Sequence, residues 1–297
     1  MRRSILPLLL ASATLFARQS PAAKGVLLES LTWEAAERVL RPNSVVVIPL
    51  GAALKEHGLH LPLNNDWLIA EHCKRRVLQD ADRLMAPIVP YFYYPVFRNY
   101  PGSTTLGLET AIRYILDLCR SFMEHGIRRF YVLNTGVTTL KALQPARDQL
   151  AKEGALLSYA DPMASFSRVG REKPELFTQG MGGHADEQET SWMLAIAPAA
   201  VNMGKALQDQ HLRSIEGKEI PNGAPSPKST LTQLVRNPRS DGRFSPTGAF
   251  GNPTLATREK GLLIDAAFLR DALEGIELVR IAPLPKVSVP ISTWPLD

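Results

Sequence analysis

Short apolar runs of strand length alternate with segments of helical periodicity along most of this chain, and no other feature restricts the fold as strongly. Ser44 to Leu50, SVVVIPL, is an apolar, β-branched strand. Asp66 to Gln79 has helical spacing at Ile69, Cys73 and Val77, and Leu84 to Tyr94 reads as a strand running into an aromatic-rich loop. The clearest helix is Leu108 to His125, whose Ile112, Ile115, Leu116, Cys119 and Phe122 build one buried face before Gly126 stops it. Arg129 to Asn134 is a strand, Leu140 to Glu153 a helix ended by Gly154, and Ala155 to Tyr159 a short strand. Helices are also expected from the Thr32 N-cap towards Pro42, over Glu187 to Ala197, and over Glu259 to Glu274. This rhythm predicts an α/β fold of three layers, with a mostly parallel sheet covered on both faces. Its site would lie at the C-terminal edge of the strands.

The 297 residues are enough for one large domain, expected over 18–297. Hydrophobic residues make up 45% and charged residues 21%, which excludes a disordered or coiled-coil chain. The net charge is +5, and Arg2 and Arg3 carry two of those charges without any acid before Arg18. What is left is too weak and scattered for a nucleic-acid partner. Those arginines precede an apolar run, Ser4 to Ala17, too short for a bilayer that needs roughly 20 residues. Residues 1–17 are therefore expected to be a signal peptide cut after Ala17, giving an exported, periplasmic or secreted protein without stable membrane insertion. Two cysteines, Cys73 and Cys119, rule out a disulfide scaffold and read as buried free thiols.

Three segments concentrate polar groups beyond strands. Gly51 to Asp66, GAALKEHGLHLPLNND, carries Glu56, His57, His60 and Asp66, a set of imidazoles and carboxylates that can meet at one cation. Gly180 to Thr190, GMGGHADEQET, brings His184, Asp186, Glu187 and Glu189 to the start of a helix. Helix capping accounts for one or two of these acids, but not for a histidine and three acids behind a glycine run. Asn134 to Thr139 offers an amide, hydroxyls and backbone N–H groups but no strong metal ligand. Glu216 to Pro253, rich in proline and glycine, breaks the rhythm and reads as an excursion over the surface.

Taken in order, several motifs resemble those of the creatininase (creatinine amidohydrolase) family. His57-Gly58-Leu59-His60-Leu61-Pro62 with Asp66 fits its Glu-Gln-His-Gly-x-His-x-x-x-x-x-Asp loop. Pro101 to Leu106 resembles its Phe-Pro-Gly-Thr-x-x-Leu turn, and Glu189-Thr190-Ser191-Trp192-Met193-Leu194 its Glu-Thr-Ser-x-Met-Leu segment, with His184 five residues ahead. Leu31-Thr32-Trp33 and Ala256 to Gly261 match its opening and the start of its final helix. The chain also departs from the pattern. Lys55 stands where the family carries a glutamate, and Glu56, one residue on, could swing into that role. Gly136 replaces a metal-binding histidine, and Thr138 stands where some members carry a further ligand glutamate.

The resemblance implies a metal-dependent hydrolase of a C–N bond, amide or cyclic amide, using a metal-activated water and one or two divalent ions. Zinc is expected first, with manganese or iron as alternatives. It also implies a small-molecule amide substrate and a homo-oligomer, a hexamer in known members. By position, His57 and Asp66 become metal ligands, Asp66 the bridging one, Glu189 a further ligand or a neighbouring base, and His184 a substrate or proton-transfer residue, with Glu56 joining the ligands if it swings into the vacant role. Local chemistry adds Glu187 as a catalytic residue and His60, Asn134, Thr138 and Asp186 as substrate-binding residues, and Asp186 and Glu187 could also make up for the missing metal ligands. The alternative is a binding protein that keeps this fold and has lost the metal centre.

Overall fold

The computed structural model describes residues 23–180, 182–209 and 247–291. The leader and most of the excursion at 216–253 lie outside them. The sheet comprises β1 (Val26–Leu27), β2 (Val45–Leu50), β3 (Leu84–Met85), β4 (Arg129–Asn134) and β5 (Leu156–Tyr159). Its spatial order is β1-β3-β2-β4-β5, and every pairing is parallel. Around it lie α1 (Trp33–Val39), α2 (Asn65–Asp80), α3 (Leu108–Glu124), α4 (Leu140–Lys152), α5 (Pro162–Glu172), α6 (Glu187–Ile196) and α7 (Arg258–Ile281).

Alternation along the central strands divides the interior in two. Val46, Ile48 and Leu50 of β2, with Phe130 and Val132 of β4, face Ile115, Cys119 and Met123 of α3 and Leu143 and Leu150 of α4. Val45, Val47, Tyr131 and Leu133 point the other way, into a core with Ile69 and Val77 of α2, Phe166 of α5, Trp192 of α6 and Phe268 and Ile276 of α7. The result is the expected three-layer α/β/α arrangement. Cys73 belongs to the second core and Cys119 to the first, so the sheet stands between two free, buried thiols.

Element boundaries differ from the sequence expectation where backbone chemistry intervenes. Only Leu84–Met85 forms regular strand, because Pro87 and Pro90 carry no N–H for a continuous ladder. The segment still tracks β2 through Ala86 N–H to Val47 O and Val89 N–H to Pro49 O. The last helix runs on past Glu274 to Ile281. Gly275 does not end it, because the missing Cβ lets the helix lie against the Tyr131 ring, whose Cε2 would stand 2.6 Å from such an atom. The helix Pro162–Glu172, not anticipated, is capped by Asp161, whose side chain accepts from Met163 N–H. No described helix is long and apolar enough to cross a membrane.

α6 and α7 approach closely at Gly261, where a Cβ would collide with Ser191 O and lie 2.8 Å from Ala195 Cβ. Gly261→Val should therefore cost about 1–3 kcal/mol, the usual penalty for overpacking. Urea unfolding followed by circular dichroism should show a lower midpoint at an unchanged slope.

Candidate metal centre

β2 and β4 end side by side, with Leu50 opposite Asn134. At Gly51 a Cβ would strike Asp66 O, so its absence lets the first turn of α2 press against the end of β2. Thr135 Oγ1 ties the two together, donating to Leu50 O at 3.0 Å and to Asp66 O at 3.3 Å. Asp66 is thereby fixed at the positive end of α2, which favours its negative charge. The loop between is held from outside by the Pro101–Leu106 turn. Glu56 N–H donates to Ser103 Oγ at 2.9 Å, and Thr104 N–H to Leu54 O at 3.0 Å.

Inside this frame the Asp66 carboxylate meets two nitrogens. Oδ1 lies 2.7 Å from His57 Nε2, and Oδ2 lies 2.7 Å from Lys55 Nζ. Burial pushes the carboxyl up, but the charges of His57 and Lys55 outweigh it and hold Asp66 below the usual carboxylate range. The 180–190 segment reaches the same place. His184 Nε2 sits 3.0 Å from Glu56 O and 3.1 Å from Glu56 Oε2, and its ring stacks on Phe97 at 3.8 Å. The rings of His57 and His184 are 4.9 Å apart.

The hydrogen bonds fix how these imidazoles face. Lys55 O can only accept, so His57 Nδ1, 3.0 Å away, carries a proton and turns Nε2 towards Asp66. Two acceptors 2.7 Å apart tolerate each other only with a proton or a cation between them. His184 is the mirror case. Its Nε2 faces only acceptors on Glu56, leaving Nδ1 3.7 Å from Glu189 Oε2. That oxygen also accepts from Ala185 N–H at 2.6 Å. One ligand atom from each of His57, His184 and Glu189 falls within 4.8 Å of the others.

Other expected site residues take different duties. Asp186 caps α6, accepting from Gln188 N–H and Glu189 N–H, and takes a bond from Gln179 Nε2 at 2.7 Å. Burial and the Glu189 charge raise its carboxyl to about 6. Glu187, expected to be catalytic, is instead committed to Lys260 Nζ at 2.5 Å and to Gln179 N–H, because a buried carboxylate requires a cationic partner. Asn134 braces its own turn, bonding Gly136 and Thr139, and Thr138 Oγ1 donates to Tyr93 O. His60 Nε2 lies 2.8 Å from Thr190 Oγ1.

Four participants were not anticipated. Lys55 and the rings of Tyr94 and Phe97 enclose Asp66 and His184, and Tyr94 Oη is buried without a hydrogen-bond partner among the described residues. Burial and the Asp66 charge keep that hydroxyl well above its usual range, so it stays a donor. Gly248, in the returning end of the excursion, leaves room for Glu56, since a Cβ there would overlap Glu56 Oε1. The aromatic cluster after β3 was visible in the sequence, but nothing marked its direction.

A model of the creatininase family, described as creatinine amidohydrolase, matches residues 29–276. This chain belongs to the creatininase family. It is 26% identical over 258 residues to a creatinine amidohydrolase of Pseudomonas putida, covering 82% of this chain and 92% of that one. It is 29% identical over 242 residues to a mycofactocin precursor peptide peptidase of Mycobacterium ulcerans, covering 78% and 84%. Two solved creatininases share the fold. One is described as a manganese form (TM-score 0.67, 23% identity, 87% of this chain and 100% of that one), and one is a mutant of Zn–Zn type (TM-score 0.67, 24% identity, 87% and 99%).

Burial comes first among the causes that lower His60, from its ordinary 6.5 to about 4, with the Glu189 charge opposing. On acidification the unfolded chain therefore takes up a proton before the folded one. The stability linked to this ring is intact above 6.5 and is lost as pH falls through about 4. Unfolding free energies between pH 7 and pH 4 should consequently fall less steeply in His60→Gln than in the wild type.

Proposed function

We propose that this chain is a metal-dependent hydrolase that adds water across the C–N bond of a small amide or cyclic amide. The observation that carries this reading is the matched pinning of two imidazoles. His57 and His184 each have one ring nitrogen held by an acceptor and the other turned towards a carboxylate-lined gap. Histidines that bind metals are oriented in this way. Two nitrogens and a carboxylate oxygen form a donor set suited to zinc, and manganese or iron would also fit. The family's solved members with manganese or zinc support the same choice.

His57, His184 and Glu189 would hold the ion, which supplies Lewis acidity and a more acidic water. Lys55 O and Glu56 fix the ring orientations, and Asp66 keeps His57 in place. Tyr94 Oη, buried and protonated, remains free to donate to a bound substrate. Glu56 Oε2, 3.1 Å from His184 Nε2, can hold the proton that the departing nitrogen needs. Phe97 and the return segment at Gly248 keep bulk water from the Glu56–His184 pair.

A second reading, a binding protein without turnover, draws on Lys55, whose ammonium already neutralises Asp66. The two separate on metal content and activity. Purified wild-type chain should carry a divalent metal by plasma mass spectrometry and should hydrolyse at least one member of a panel of small amides and cyclic amides. His57→Ala and Asp66→Ala should each weaken metal binding at least about tenfold and abolish hydrolysis, whereas Thr138→Ala keeps metal affinity within about twofold. A wild-type chain without metal and without hydrolysis would favour the binding protein, and unchanged metal content in Asp66→Ala would overturn the place given to Asp66 in the centre. The leader supports export of this activity, and a mature chain beginning near Arg18 in protein recovered from its native cells is the expected mass-spectrometric result.

A further inference from the structure

Asp66 is buried, and each of its oxygens already faces a nitrogen 2.7 Å away. On Oδ2 that nitrogen is an ammonium in an enclosure of its own. Lys55 is 6% exposed, and its Nζ lies 5.5 Å from the Phe97 ring centre and 5.7 Å from that of Tyr94. An ammonium stripped of water is costly to bury unless a counter-charge and ring faces replace its hydration, and here both do. The neighbouring turn fits the same arrangement. At Gly136 a Cβ would stand 2.9 Å from Thr139 Cγ2 and 3.4 Å from Tyr94 Cε1, so the missing side chain leaves room for the ring that walls in Lys55.

We propose that Lys55 is a permanent internal cation on the Asp66 carboxylate, and that the centre therefore takes one divalent ion, on His57, His184 and Glu189, instead of two. The inference deepens the metal-dependent reading and rests on it. A second ion would need an Asp66 oxygen at about 2.0–2.2 Å. Oδ2, the oxygen turned away from His57, already has the Lys55 nitrogen 2.7 Å from it. The ion would also need further donors. Gly136 has no side chain to give one, and Thr138 offers only a neutral hydroxyl, whose proton is turned to Tyr93 O, in place of a carboxylate. Expelling Lys55 would leave its ammonium without its counter-ion. Its charge also lies close enough to the single ion to weaken it by like-charge repulsion.

Zinc titration of the chelator-stripped full chain tests this, with stoichiometry and affinity read by calorimetry and fold checked by circular dichroism. The wild type should bind one equivalent. Lys55→Met, which keeps the side chain's length without its charge, should still bind one equivalent, at least about tenfold tighter. Lys55→Glu should bind two. Two equivalents in the wild type, an unchanged or weaker site in Lys55→Met, or a folded Lys55→Glu still limited to one equivalent would each overturn the proposal. No zinc on the wild type would overturn the metal-dependent reading beneath it. Should Lys55→Glu fail to fold, the wild type and Lys55→Met decide the matter.

Discussion

The Asp66 carboxylate, buried at the end of the central strands between a lysine and a histidine, is the interaction around which this molecule is organised. A lone buried carboxylate would be strongly unfavourable. Its retention requires the loop after β2 to return Lys55 and His57 to it, and requires α2 to present its positive end there. Gly51 and Thr135 make that approach possible, one by lacking a side chain and the other by bonding both sides. Removing either partner of Asp66 would leave a charge in a place that cannot hydrate it. The geometry of the centre and the folding of the loop are therefore one problem.

The acids of the 180–190 segment divide into two kinds of work. Glu189 faces the gap between the imidazoles, while Asp186 and Glu187 build the platform that aims it. Gln179 joins the platform's two acids, donating from its side chain to Asp186 and from its backbone to Glu187. Phe250 pairs with His184 through backbone bonds on the far side. His184 is thus set by a helix cap, the returning segment at Phe250 and the Phe97 ring, with Glu56 as its one tie to the loop that carries His57.

The layered fold was legible because its signal is periodic. Alternation in β2 and β4, and the 3,4 spacing of α3, each report burial on a known face. The short β3 was readable from Pro87 and Pro90, which lack the N–H a ladder needs, whereas the long α7 was not, since Gly275 acts through the Tyr131 ring, a neighbour that a linear pattern does not display. At the centre, His57, Asp66, His184 and Glu189 stood out as ligand types in suggestive places. Lys55 registered only as a departure from the family pattern, because the meaning of a positive charge depends on which carboxylate it finds. The duties of Asp186 and Glu187 were hidden for the same reason. Nothing in their local sequence identifies Gln179 and Lys260 as their partners.

The placement of the two thiols bears on metal selection. Cys73 and Cys119 sit in separate hydrophobic interiors, and burial raises both well above the range in which a thiolate forms readily. Neither sulfur competes for an ion, so the centre offers only nitrogen and oxygen. Such a set discriminates weakly among first-row divalent metals by ligand type, and their order of intrinsic affinity rises from manganese to copper and falls back at zinc. Any ion taken up under the proposed function would then follow the supply in the compartment where the chain folds. A preparation made under different metal conditions would differ in occupant, with the polypeptide unchanged.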